Sequence, residues 1–248
     1  MDSKEKFSIR VSNYVKYRPT YPMESIDYII DTFKLTDDSV VADIGSGTGK
    51  FTELFADHVK TIFGVEPNKE MREAGELSLK EQKNYKSING DSEHTNLDSN
   101  SVDAVLSAQA FHWFDVEKAR IEFNRILKSK KQTALIWNIR DTNDPFFSVY
   151  ENLLIKYAKN YMDAAHNRDF DKISANFFTC HKKVTFNHHL HYDFESVCGL
   201  LNSSSYTPLP HEENYKPLFD DMRQLFEKYQ VNNKVTFVYE TKLYIGTL

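Results

Sequence analysis

Two kinds of hydrophobic spacing alternate along the first 140 residues. Short apolar runs, read as strands, lie at SVVADIG (39–45), KTIFGVEP (60–67), SVDAVLSAQ (101–109) and QTALIWNI (132–139), and YKSING (85–90) reads as a further strand with a weaker apolar pattern. Between them, apolar positions recur every three or four residues, as on one face of a helix. Phe51, Leu54 and Phe55 do so in GKFTELFADHV, and Val116, Ala119, Phe123, Ile126 and Leu127 do so in DVEKARIEFNRIL. KEMREAGELS (69–78) is a further helix, with Asn68 placed to cap it. Upstream, MESIDYIIDTF (23–33) carries Ile26, Ile29, Ile30 and Phe33 on one face. YRPTYP (17–22) is extended or turning, because each proline disfavours helix at the residue before it.

Strands alternating with helices predict an α/β fold, a doubly wound and mostly parallel sheet with helices on both faces. The alternation fades after Arg140. Residues 145–161, 193–202 and 215–229 then read as helices, and KKVTFNHHLHY (182–192) and KVTFVYETKLYIG (234–246) as strands. No linker divides the chain. The expectation is one domain over 1–248: an N-terminal lid and helix (1–37), a core (38–140), and cap helices with closing strands (141–248).

Composition narrows the partners. The chain has 248 residues, 40% hydrophobic and 14% aromatic, enough for a sizeable core. Its 31 basic and 36 acidic residues give a net charge of −5 with no basic block, which argues against nucleic acid. Cys180 and Cys198 form no CxxC and read as free thiols of a reducing compartment. The first residues lack an apolar signal core, and no run of about 18 apolar residues offers a membrane span, so a cytoplasmic protein is expected.

The most informative segment is VVADIGSGTGKF. Gly45, Gly47 and Gly49 follow a strand at every second position. A dinucleotide loop, GxGxxG, would need glycine at position 50, which is lysine, and GxxxxGK[ST] is also absent. The pattern is instead an acid, Asp43, followed by GxGxG. Glycines let the backbone turn tightly against a ligand. An acid at the strand end repels a pyrophosphate but suits a nucleoside bearing cationic groups. Glu66 ends the second strand, where an acid can accept from both ribose hydroxyls. Asp91 follows the third, placed to meet an adenine amino group.

With these three acids and the glycine loop, residues 38–140 resemble the class I S-adenosylmethionine-dependent methyltransferases. The resemblance implies a Rossmann-like sheet of seven strands, the last antiparallel, with S-adenosyl-L-methionine at the strand C-terminal ends. It implies a cofactor site made by Asp43, Gly45, Ser46, Gly47, Gly49, Glu66, Pro67, Met71, Asp91, Ser92, Ala108, Gln109 and Phe111, with Tyr17 and Arg18 as a lid. YVKYRPTYP, SAQAFHWFD, LLNSSSYTP and FVYETKLYIG look like the type 11 subgroup that includes the trans-aconitate methyltransferase-like proteins. Related quinone-pathway methyltransferases share much of the core.

Several candidates admit two readings. Arg18, beside Tyr17 and Tyr21, suits a bidentate contact with a carboxylate of the cofactor or of an acidic substrate; the alternative is a proline-rich turn with a surface arginine. His112 is a candidate general base, weighed against the favoured reading in which His112 and Trp113 start a helix and pack the wall. Gln109, Ala110 and Phe111 are expected to line the path of the methyl group. HHLHY puts His189 and His191 on one strand face with no third metal ligand, so a polar face is expected. Cys198 reads as a helix core thiol, and NSSSYTP (202–208) as either a polar loop over the acceptor or a helix-ending turn. An NPPY-type sequence is absent where AQAF stands, against amino methylation of nucleobases or glutamine. The expected activity is methyl transfer to a small molecule, at an oxygen such as a carboxylate. The alternatives are C-methylation of quinone-like or lipid-like rings, or a cofactor-binding module without transfer.

Overall fold

A computed structural model describes residues 10–159, 161 and 169–248. They contain a seven-stranded sheet in the order β3-β2-β1-β4-β5-β7-β6. The strands are β1 (Val40–Ile44), β2 (Thr61–Val65), β3 (Tyr85–Ile88), β4 (Val102–Ala108), β5 (Leu127–Arg140), β6 (Cys180–Tyr192) and β7 (Val235–Thr247). The first five pair in parallel. β7 runs against both of its neighbours. Gly246 lies against Cys180 while Thr236 meets His191 on β6. On the β5 side, Leu248 N donates to Lys131 O and Asp141 N to Val238 O. The expected mostly parallel sheet with an antiparallel last strand is thus the observed one.

The chain gathers into two compact units. One comprises residues 20–138, 169–186 and 241–248. It holds α2 (Met23–Phe33), α3 (Lys69–Ser78), α4 (Val116–Ile126) and α6 (Phe170–Phe177). Its core joins Ile26, Ile29 and Phe33 of α2 to Val41, Ile62, Ala104, Leu106 and Ile136 of the sheet. Burying side chains of this size stabilises by about 1.5–3 kcal/mol each. The other unit takes the described residues within 1–19, 139–168 and 187–240. It holds α1 (Val11–Tyr17), α5 (Pro145–Tyr157), α7 (Phe194–Asn202) and α8 (Tyr215–Tyr229), packed through Phe146, Phe147, Leu201, Met222, Phe226 and Phe237. Here α1 approaches α7 so closely that a Cβ on Gly199 would lie 2.0 Å from the Tyr17 ring.

Helix starts follow their caps. Asn68, Asp115, Asp144, Asp169 and Asp193 each accept a backbone N–H of the first turn, and Pro145 adds a fixed φ at the start of α5. Four expectations change. The helix expected over 49–59 is a 3₁₀ helix, Thr52–His58, pinned at its first residue by Asp43 and followed at once by β2. Tyr17 closes α1 rather than opening an extended segment; the extended backbone begins at Arg18. The helix expected to reach 161 ends at Tyr157, and residue 160 lies outside the described residues. β5 starts at Leu127, directly after α4.

Candidate active site

The first unit brings the three acids and the glycine loop to one edge of the sheet. Parallel pairing aligns Asp43 with Gly64 and Leu106, and Val65 with Ile88, so the loops that follow β1 to β4 leave side by side. This is where doubly wound sheets bind ligands.

After β1 the backbone takes φ of +74° at Gly45, +57° at Gly47 and +80° at Gly49, values that L side chains rarely adopt. The N–H groups of Gly45 and Ser46 both donate to Val65 O, at 2.9 and 3.1 Å. A Cβ on Gly45 would stand 2.5 Å from the Cβ of Ala110, so this turn also needs glycine to let the β4 loop come close. The Glu66 carboxylate staples the turn: Oε2 accepts from Gly47 N at 3.0 Å and Oε1 from Asn68 N at 2.8 Å. Arg72 donates to Glu66 O at 2.9 Å, and Met71, buried in α3, sits across from Gly47. Pro67 is exposed and Ser46 half-buried.

Asp43 is wholly buried. Its Oδ2 accepts from Thr52 Oγ1 at 2.7 Å, and its Oδ1 has no partner. Burial, against the Thr52 hydrogen bond and with help from Glu66, pushes this carboxyl up to about 7. A buried acid with one open oxygen beside a second acid calls for a cationic ligand group. Together with Glu66, the donor and acceptor set suits a nucleoside carrying an ammonium and a sulfonium.

After β3, Asp91 Oδ1 accepts from the N–H groups of Glu93 and His94, both at 2.8 Å, while Ser92 is buried. The loop is held from below by Glu122, which accepts from Thr95 N and Oγ1 at 2.8 and 2.6 Å and from Arg125. Burial raises the Glu122 carboxyl, but Arg125 and Thr95 outweigh it and bring it down to about 2. Sequence reasoning missed Glu122, Thr52 and Trp137. An acid at position 122, on the apolar face of α4 beside Ala119, Phe123 and Ile126, was a legible signal.

At the end of β4, Ser107 Oγ donates to Ile44 O at 2.9 Å, and Ala108 is half-buried. Gln109 has φ of +55°, and its side chain donates to Asn138 O at 3.1 Å. The Phe111 ring is enclosed by Phe114, Phe123 and Phe177. Trp113 is 58% exposed, with its ring 5.0 Å from that of His112. His112 Nδ1 accepts from Trp137 Nε1–H at 3.2 Å. That engages the Nδ1 lone pair, the one from which a neutral imidazole of this tautomer would accept a proton. His112→Ala is therefore expected to lower kcat through lost packing and leave the shape of the pH–rate profile unchanged. Disappearance of an ionisation from that profile would make His112 the base.

Tyr17 and Arg18 belong to the other unit. Tyr17 Oη donates to Glu195 at 2.7 Å, and Arg18 donates to Ser203 O and Ser204 Oγ, both at 3.2 Å. Burial pushes the half-buried Cys198 thiol up to about 11, opposed by Arg223, while Cys180 is exposed. His188 is buried and His189 and His191 are exposed, as the strand alternation predicts. Among the described residues no group of three or more acids, histidines or cysteines is placed to hold a metal, and no helix is long and apolar enough to cross a membrane.

Comparison with known proteins agrees with this chemistry. Residues 42–135 match the model of the methyltransferase domain family. A methyltransferase-like protein of Schizosaccharomyces pombe, itself uncharacterised, is 30% identical over 247 residues, covering 95% of this chain and 92% of its own. A probable S-adenosylmethionine-dependent methyltransferase of Saccharomyces cerevisiae is 31% identical over 172 residues, covering 67% of this chain and 58% of its own. The YcgJ protein of Bacillus subtilis shares the fold, with a TM-score of 0.58, 22% identity, and coverage of 91% of this chain and 99% of that one. The sheet, the glycine turn with its acids and these relatives converge: the chain belongs to the class I S-adenosylmethionine-dependent methyltransferases.

Proposed function

We propose that the chain moves the methyl group of S-adenosylmethionine to an oxygen of a small molecule, a carboxylate before others. One observation carries this reading. The polar side chains at the end of β4 and just after it are committed to the protein: Ser107 to Ile44 O, Gln109 to Asn138 O, and His112 Nδ1 to Trp137. None of these arrangements offers a base. A carboxylate is already ionised at neutral pH and takes a methyl group without giving up a proton. The net charge of −5 without a basic block supports a small acceptor over a nucleic acid.

When bound, the cofactor supplies a methyl group on a sulfonium, a good electrophile for in-line displacement. The residues around it then need to position and desolvate. In this reading Asp43 Oδ1 faces the cationic methionine end, and Glu66 takes the ribose hydroxyls. Asp91 and Ser92 meet the adenine edge. Gly45, Ser46, Gly47 and Gly49 give the backbone its close approach, with Pro67, Met71, Ala108 and Gln109 around the ligand.

The test is transfer of labelled methyl to a panel of small acids, phenols, amines and quinols, followed by mild alkali. A methyl ester releases labelled methanol, whereas ethers, methylamines and C-methyl products do not. An alkali-stable product from a quinol ring would favour the C-methylation alternative. Cofactor binding with no transfer to any class would favour a binding module.

A further inference from the structure

The second unit contains buried positive charge without its counterpart. Arg10 is 5% exposed. Its Nη2 donates to Thr207 O at 2.6 Å, but its Nε and Nη1 are shut off from water with no partner. Arg18, half-buried, reaches the same loop through Ser203 O and Ser204 Oγ, and its Nε is likewise buried and unpartnered. Thr207 Oγ1 is a further buried orphan beside them. Among the described residues, neither arginine has a carboxylate within ion-pair distance. The acids nearby are already engaged: Glu195 by Lys16 and Tyr17, Glu212 by Lys159 and Leu209 N, and Glu151 by Arg140 and Tyr161.

Two neighbouring groups register the excess. Burial pulls the Arg10 guanidinium below its ordinary value; Glu212 opposes this and Arg18 adds to it. Burial would raise the Tyr206 phenol, yet Arg140 and then Arg18 outweigh it and hold it below its ordinary value. Tyr206 packs edge-on against Tyr161, with ring centroids 4.8 Å apart. The Tyr14 ring lies 5.0 Å from the Arg18 guanidinium and supports it from its own helix.

A buried cation without an anion costs several kcal/mol, and two such cations repel each other. A fold that keeps both, on one loop and with N–H groups unmet, is built to receive negative charge. We infer that Arg10, Arg18 and the Ser203–Thr207 loop, with Tyr206, form a site for the oxyanion group of a small ligand, a carboxylate or a phosphate. Arginine suits both, since its planar fork donates two parallel hydrogen bonds. A carboxylate so paired has its lone pairs engaged and is a weak nucleophile. The group held here is therefore bound and not itself methylated, and this anion site does not rest on the function proposed above.

Calorimetric titration of the whole chain with succinate and with inorganic phosphate, at matched ionic strength in chloride, tests the site. Saturable binding of at least one anion is expected. Arg10→Gln and Arg18→Gln should each weaken it at least tenfold, and Lys16→Gln, which removes an exposed cation nearby, should leave it unchanged. Binding of succinate alone marks a carboxylate site, and of phosphate alone a phosphate site. Binding of S-adenosylhomocysteine to the same variants is the control for folding and for the cofactor. It should be retained. If a glutamine variant fails to fold, Arg18→Lys, which keeps the charge and loses the fork, should still weaken the anion. No saturable binding, or variants that bind as tightly as the parent, overturns the inference. So does loss of the cofactor together with the anion, which would assign Arg18 to the cofactor. Methyl transfer to small acids without any saturable anion binding would leave the proposed function standing while the anion site failed.

Discussion

Asp43→Asn is expected to abolish saturable binding of S-adenosylmethionine and, above pH 7, to raise the melting temperature. The two effects share one cause. The Asp43 carboxyl is buried, carries a single hydrogen bond from Thr52, and is pushed from 3.8 up to about 7 by burial. The folded chain therefore prefers the protonated acid. The contribution of Asp43 to stability is greatest below 3.8, declines as pH rises to about 7, and is flat beyond. Over that interval the loss is about 4 kcal/mol, at about 1.36 kcal/mol per unit. Asparagine keeps the shape and removes the slope. A cationic ligand reverses the preference, so cofactor affinity should rise about tenfold per pH unit up to pH 7. Calorimetry in two buffers of different ionisation enthalpy should show proton release below that pH. Undiminished binding by the Asp43→Asn chain would remove Asp43 from the cofactor site.

Glu66→Ala should weaken cofactor binding on the order of 100-fold, the scale of losing two charge-assisted hydrogen bonds. Its effect on stability has the opposite sign. The Glu66 oxygens hold Gly47 N and Asn68 N, so alanine orphans two backbone donors at a cost of about 1–3 kcal/mol each where buried. The melting temperature should fall, with Glu66→Gln intermediate because one acceptor remains. Differential scanning calorimetry alongside the binding titration separates the roles. Loss of stability with full affinity would leave Glu66 a structural staple alone.

Much of this was legible in the sequence because strong local rules agree. The apolar runs at 40–44, 61–65 and 102–108 became strands, and α3 spans the same ten residues, 69–78, that the periodicity marks. The three acids and the glycine turn were readable because a parallel sheet puts every strand end on one edge. What escaped was set by tertiary contact. Thr52 and Trp137 act through partners 9 and 25 positions away, which no local pattern reveals, and Glu122 shows only as an acid on an apolar helix face, with no sign of Thr95, 27 positions away. The enclosure of Phe111 was hidden because its spacing gives no sign of Phe177, 66 residues later, which closes over it. Helix α6 was missed because only eight residues carry its pattern. The unmatched charge of Arg10 and Arg18 was invisible because it depends on the loop at 203–207.

The place of β7 has a consequence for how the chain is made. It is the last of the seven strands in sequence, yet it lies between β5 and β6. On a ribosome, β5 and β6 are made before residues 235–247, the strand that joins them. Through that interval both strands present unpaired edges, which invite pairing with other chains. Joining of β5 to β6 therefore waits on synthesis of β7. A nascent or prematurely stopped chain that ends at position 234 would carry all the residues of the glycine turn and still expose two sticky edges, making it a substrate for chaperones.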